Sequence, residues 1–500
     1  MPGRPMESPP CNAKHAGWQR STFEPSPIRT PRTMSEHTYP VIPLDFSLRR
    51  AFLLKTFRTA GAVSLTGFLA ACGGDGDDAS NPAPVDPKPP VDPEPPVEKF
   101  NPFAKFTELQ PADANGVMLP KGFSSRIVAR SGKAPVSGGS FLWHAAPDGG
   151  ACYATDDGGW IYVSNAEMTA PLGGVSALKF DKTGKIIDAY PILKSTSGNC
   201  AGGPTPWNTW LSCEEFELTQ QIAGLVWECD PYHPWSDANP PRAWPALGRY
   251  AHEAVCVDPS NRMLYLTEDA SGGRIYRYVC DSTDWPAGAE RPVKFESGQL
   301  QVLRIDALPR DADSADAAYA DLIGFGKTPV SITWEPVAFP DQGQKNIRDT
   351  LRKGGILPPG NYFQKAEGIW FFNGIVFFVT SRNSRIWAYD TAHRTLEVIF
   401  DGKLGPAETH SIDEPDNITI TSFGEMLVAE DAGNLEIGVL RDDGTSQAVM
   451  RLVGHDDSEI TGPAVSPDGT RLYFSSQRGT AGKSEEGITF EVLLPTKLVV

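Results

Sequence analysis

Six short apolar runs in this chain end in polar or acidic clusters: Ser164-Asn165-Ala166-Glu167, Cys213-Glu214-Glu215, Thr267-Glu268-Asp269, Ser381-Arg382-Asn383, Glu430-Asp431 and Ser475-Ser476-Gln477. Most are preceded, about 13 to 15 residues earlier, by another polar residue that opens an apolar stretch. Cys200, Glu253, Glu367, Asp416 and Thr461 are the clear cases, with His144 as a weaker first member. Carboxylates gathered in such numbers repel one another unless protons or cations neutralise them. Hard oxygen donors suit Ca²⁺, which makes Glu214, Glu215, Glu268, Asp269, Asp416, Asn417, Glu430 and Asp431 candidate ligands. For any one of them a salt bridge or a strand-end cap is the competing role. Cys200 lies between Asn199 and the glycine-rich Ala201-Gly202-Gly203, where a thiolate would draw a softer metal such as iron or zinc. A buried inert thiol is the alternative there.

The elements that must position these groups read as strands. Trp160 to Val163, Leu264 to Leu266, Ile369 to Thr380, Ile418 to Val428 and Arg471 to Phe474 are apolar runs of strand type, with turns at Asp181 to Gly184, Asn373-Gly374 and Pro467-Asp468-Gly469. A strand that leaves one polar residue, turns and returns brings its end back beside its start, so both polar groups sit at one end of a hairpin. Helical periodicity is confined to a short stretch within Asp313 to Leu322. The clusters recur every 46 to 54 residues or so, near the spacing of propeller blades, except across the gap from Asp269 to Ser381. The pattern predicts an all-β fold, a six-bladed β-propeller with one long inserted loop. The insertion is about 60 residues between Asp281 and Pro359, long enough to lid a site. A sandwich or two smaller β domains is the competing architecture.

Composition narrows the partners. The formal charge of −17 argues against nucleic acid or an anionic membrane surface as the main partner. Eight cysteines without a Cys-x-x-Cys pair do not make a disulfide scaffold.

The N-terminal region reads as targeting sequence. Residues 1 to 33 are unlike a signal and are taken as a leader, with Met34 as the alternative start. Residues 34 to 71 carry Arg49-Arg50 followed by Phe52-Leu53-Leu54-Lys55 and a weakly apolar segment too short to span a bilayer, as in a twin-arginine signal. Leu69-Ala70-Ala71-Cys72 resembles a lipobox, which makes Cys72 a candidate lipid anchor and the protein a periplasmic or cell-surface lipoprotein. Residues 72 to 101 hold two copies of Val-Asp-Pro-x-Pro-Pro-Val and read as a polyproline tether, leaving 102 to 500 for the folded domain.

The run from Asn199 to Glu215, with Gly248-Arg249-Tyr250-Ala251-His252-Glu253, Tyr265 to Asp269, Glu367-Gly368, Glu414 to Asn417 and Thr461-Gly462-Pro463, resembles in order the PhoX family of calcium- and iron-dependent alkaline phosphatases. The resemblance implies a six-bladed propeller that hydrolyses small phosphate monoesters at an iron–calcium cluster, with a metal-bound oxo or hydroxo group as nucleophile. It implies iron on Cys200, Glu253 and Glu367, and calcium on Glu214, Glu215, Glu268, Asp416, Asn417 and Glu430. The family's arginine and proline before Glu-Gly are Lys365-Ala366 here; lysine keeps the charge and loses the bidentate fork. Asn208 replaces a glycine, and Gln477-Arg478-Gly479 replaces Gln-His-Pro-Gly. Lys365, Arg382 and Arg478 are therefore the expected phosphate clamp, on a monomer. A calcium-dependent lactonase or esterase and a non-catalytic calcium-binding propeller are the alternatives.

Overall fold

A computed structural model describes residues 100–216, 224–338, 340–344, 347, 360–404 and 412–499. The leader, the export signal, Cys72 and nearly all of the tether lie outside the described residues, as does most of 345–359 within the expected insertion.

The described chain is all-β and propeller-like, in five antiparallel sheets. Two are uninterrupted meanders: Pro147–Ala154, Trp160–Ala166, Gly173–Phe180 and Ile186–Thr196; then Asn199–Pro204, Trp210–Glu214, Val226–Cys229 and Arg242–Ala243. A nine-stranded sheet contains two more, His252–Asp258 to Gln299–Ile305 and Ala366–Phe372 to Thr395–Asp401, bridged by Val330–Pro336. The described part of the expected insertion therefore extends a sheet. Its helical reading survives as two short turns, Ala317–Tyr319 and the α-helix Ala320–Ile323.

The last two sheets are completed from the other end of the chain. Val117–Met118 adds to the sheet of Pro415–Ile420 through Ser446–Leu452, and Ser124–Arg130 pairs with Ile488–Leu493 in the sheet that starts at Ile460–Val465. Apolar faces meet between successive sheets. Leu211 and Val226 pack with Val255, Leu264 and Tyr276, and Leu427, Ile437 and Val449 pack with Leu472, Phe474 and Phe490. This arrangement buries both faces of most strands, which therefore read as continuous apolar runs.

The strands that open the meanders adjoin one another around an axis: Pro147–Ala154, Asn199–Pro204, His252–Asp258, Ala366–Phe372, Pro415–Ile420, Ile460–Val465, and back to the first. Their close approach leaves little room for side chains. A Cβ on Gly149 would stand 2.6 Å from the Ala201 Cα, and one on Gly368 2.7 Å from the Asp416 carbonyl oxygen.

Candidate active site

Every opening strand carries a β-bulge near its start. Two residues face one on the return strand at Asp148-Gly149, Cys200-Ala201, Glu253-Ala254, Glu367-Gly368 and Asp416-Asn417. The sixth bulge comes one residue later in register, at Gly462-Pro463 after Thr461. A bulge re-aims a side chain out of the pleat, and here the first bulged residue is an acid or a thiol five times.

A second repeated device sets the return strands. The N–H of Glu167, Glu215, Asp269, Ser381, Asp431 and Gln477 donates to the carbonyl of Ala146, Gly198, Ala251, Lys365, Glu414 and Glu459 respectively, at 2.8 to 3.2 Å. Each acceptor stands two residues before the bulged position, or before Thr461 in the sixth repeat. These bonds tie the residue after each return strand to the start of its partner, so two sets of polar side chains share one mouth of the ring.

Donor atoms of Asp148, Glu167 and Cys200 lie within 4.8 Å of one another, as do those of Cys200, Glu215 and Glu253, and those of Glu253, Glu367 and Asp416. Shared members make this one continuous cluster. Cys200 Sγ is 3.4 Å from Glu253 Oε1 and 3.7 Å from Asp148 Oδ2. Few cations or donors oppose the charge. Lys365 Nζ stands 3.3 Å from Asp269 and 3.4 Å from Glu367, the Ser381 hydroxyl donates to Glu367 at 2.7 Å, and the Gln477 amide donates to both Asp148 and Glu167 at 2.6 Å. Arg478 pairs with buried Glu459 at 2.7 Å.

Burial first, and repulsion from Glu167, Asp269, Asp416 and Glu367 in turn, hold Asp148, Glu215, Glu253 and Asp416 well above the usual carboxylate range. Burial and the Asp269 charge push Glu367 up to about 8. Burial and the Asp148 charge likewise raise the Cys200 thiol. Asp269 Oδ1 is buried and accepts no hydrogen bond among the described residues. Clustered, under-neutralised oxygens with one thiol and an orphaned carboxylate oxygen fit bound cations.

The site gathers Cys200, Glu215, Glu253, Asp269, Glu367 and Asp416 from the sequence-predicted set. Asn417, beside them, donates to Asp416 and accepts the Gly462 N–H at 2.8 Å. Glu214, Glu268 and Glu430 point elsewhere. Glu214 accepts the N–H of Ser197 and Leu225, Glu268 the N–H of Arg274 and the Tyr276 hydroxyl, and Glu430 the N–H of Asp413 and Glu436. All three fasten the strand ends that carry their neighbours. Lys365 and Arg478 stand at the cluster, while Arg382 is exposed on the turn Ser381–Asn383.

Asp148 and Glu459 lie at the site without belonging to the sequence-predicted set, and Glu167, expected only as a cluster member, stands among the ligand groups. Asp148 sits four residues beyond His144, and its signal is an acid followed by Gly149, the same pairing as Glu367-Gly368.

An all-β ring with a buried, cation-ready acidic mouth defines the class. Residues 161–479 match the family described as alkaline phosphatase PhoX, and the chain belongs to that family. The protein is accordingly a phosphatase of a metal-dependent family. Pseudomonas fluorescens PhoX, solved in complex with vanadate, a transition state analogue, is 17% identical and superposes with a TM-score of 0.59 over 78% of this chain and 98% of that one. A Xanthomonas campestris gluconolactonase, 10% identical over 78% of this chain and 99% of its own, reaches a TM-score of only 0.38. No curated protein matches the sequence.

Proposed function

We propose that this is an exported phosphatase that hydrolyses small phosphate monoesters, with iron and calcium held by the mouth of a six-bladed propeller. The observation that carries the reading is the continuity of the three ligand groups through Cys200 and Glu253. Cys200 is the soft donor suited to iron, with Glu253 beside it and Glu367 next along the cluster. Asp148, Glu167, Glu215 and Asp416 are the hard donors suited to calcium, while Asp269 is paired with Lys365. Bound there, the ions supply neutralisation of charge on the phosphoryl oxygens and activation of the attacking water.

The chain's own groups do the rest. The ring of bulges holds the donors in fixed positions, so little reorganisation accompanies binding. Lys365 spends two donor directions on Asp269 and Glu367 and keeps a third for a phosphoryl oxygen, its side chain being 38% exposed. Arg478, braced by Glu459, and Arg382 on the rim complete the clamp. The counting of six blades rests on six opening strands in a closed circle, with the nine-stranded sheet taken as two blades joined by Val330–Pro336. Export by the twin-arginine route, anchoring through Cys72, a Pro-rich tether and a monomeric catalytic domain from 102 onward complete the proposal; the Arg49-Arg50 and Leu69 to Cys72 motifs support it.

The test is elemental analysis of protein exported through its own signal, beside hydrolysis of p-nitrophenyl phosphate with and without chelator. Iron with calcium and chelator-sensitive turnover is the expected result. Calcium without iron, and no turnover, would sink the iron–calcium reading.

A further inference from the structure

Resting on that metal reading, we infer that Lys365 is a resident monocation of the cluster, which keeps a divalent ion out of the corner between Asp269 and Glu367 and so limits how many metal ions the protein holds. Three observations carry this. First, the backbone fixes where the lysine stands. Lys365 adopts φ +51°, the left-handed conformation that Ala146, Gly198 and Glu414 also take at the same step of their repeats. It is held there by bonds from its N–H to the Ala270 carbonyl and from the Ser381 N–H to its own carbonyl, which tie together three loops of the site face. Second, its equivalents among the six carbonyl acceptors are Ala146, Gly198, Ala251, Glu414 and Glu459, so it alone in that set brings a positive charge. Third, the ligand atoms meet at Cys200 and Glu253 without Asp269, although Asp269 belongs to the same mouth. One oxygen of Asp269 faces the ammonium at 3.3 Å, and the other is buried with no hydrogen bond among the described residues. Asp269 thus keeps a donor atom to spare that Lys365 does not use.

A like charge a few Å from an ion site raises the ion concentration needed to fill it by on the order of tenfold or more. Removing the ammonium should therefore open the corner. The experiment counts calcium and iron per chain, after exhaustive exchange into calcium-buffered solution, in the full exported wild type and in Lys365→Met, Lys365→Gln and Lys365→Arg. Circular dichroism confirms that each is folded. The expected result is one additional divalent ion per chain in the Met and Gln variants, filling at a calcium concentration reached without denaturing them, with the wild-type count retained in Lys365→Arg. An unchanged or lower count in both neutral variants, from a wild type that does bind metal, overturns the inference and leaves the metal reading standing. A wild type with no divalent ion overturns both. Should the Met variant fail to fold, the Gln variant, which keeps reach and polarity, decides the question.

Discussion

Both faces of the ring are rich in acids, yet they treat them in opposite ways. On the far face, Asp157 and Asp181 lie in the hairpin turns 155–159 and 181–185, where side-chain hydrogen bonds from Thr155 and Thr183, with backbone N–H groups, hold them below the usual carboxylate range. On the site face, Glu253 and Asp416 are buried against other acids and held above it. The far-face acids are fully served by their own turns; the site-face acids are assembled from different sheets and left wanting a counter-charge. A count of acidic residues does not locate a site, whereas acids without local donors do.

The contrast breaks first at the cluster. Glu253→Gln, at the junction of two ligand groups, should cost more activity than the roughly 10- to 100-fold typical of losing a group that merely supports a ligand, together with bound iron. Retained iron and turnover would refute the assignment. Next comes pH. In chelated protein the raised folded value of Glu367, about 8, against an ordinary carboxyl near 4.5, means that the proton-linked stability is fully present below the ordinary value and lost as pH rises through 8. The melting temperature of the metal-free protein should fall across that window and recover when metal is restored; a flat profile would contradict the crowding argument. A smaller effect separates neighbours on one strand end. Glu268→Ala should cost about 1–3 kcal/mol for each buried donor it orphans, read by urea denaturation, and leave the metal count unchanged, because its carboxylate serves Arg274 N–H and Tyr276. Smallest of all, Asp181→Ala on the far face should leave metal content and turnover at wild-type levels.

Much of this was readable from the chain because polarity interrupts otherwise apolar strands. Glu253 and Glu367 stand out as acids followed by a small residue inside apolar surroundings, and the clusters that follow the return strands mark the same mouth. Glu214-Glu215, Glu268-Asp269 and Glu430-Asp431 could not be divided from sequence. Alternation places adjacent residues on opposite sides of a strand, but which side meets the axis depends on register and on a bulge in the partner. The bulges themselves carry no common sequence signature: an acid before a small residue marks Asp148, Glu253 and Glu367, whereas Cys200 is a thiol and Asp416 precedes Asn417. The insertion was visible as extra length; that its described part would extend a sheet depended on the pairing of Val330 and Ser331 with Leu396 and Thr395, far along the chain.

The strand Ser124–Arg130 lies beside Ile488–Leu493, so the ring is fastened by the earliest and latest parts of its own fold. During synthesis this last sheet cannot be completed until Ile488–Leu493 has emerged, so a chain truncated before that strand leaves Ser124–Arg130, one of its first strands, without the partner it pairs with.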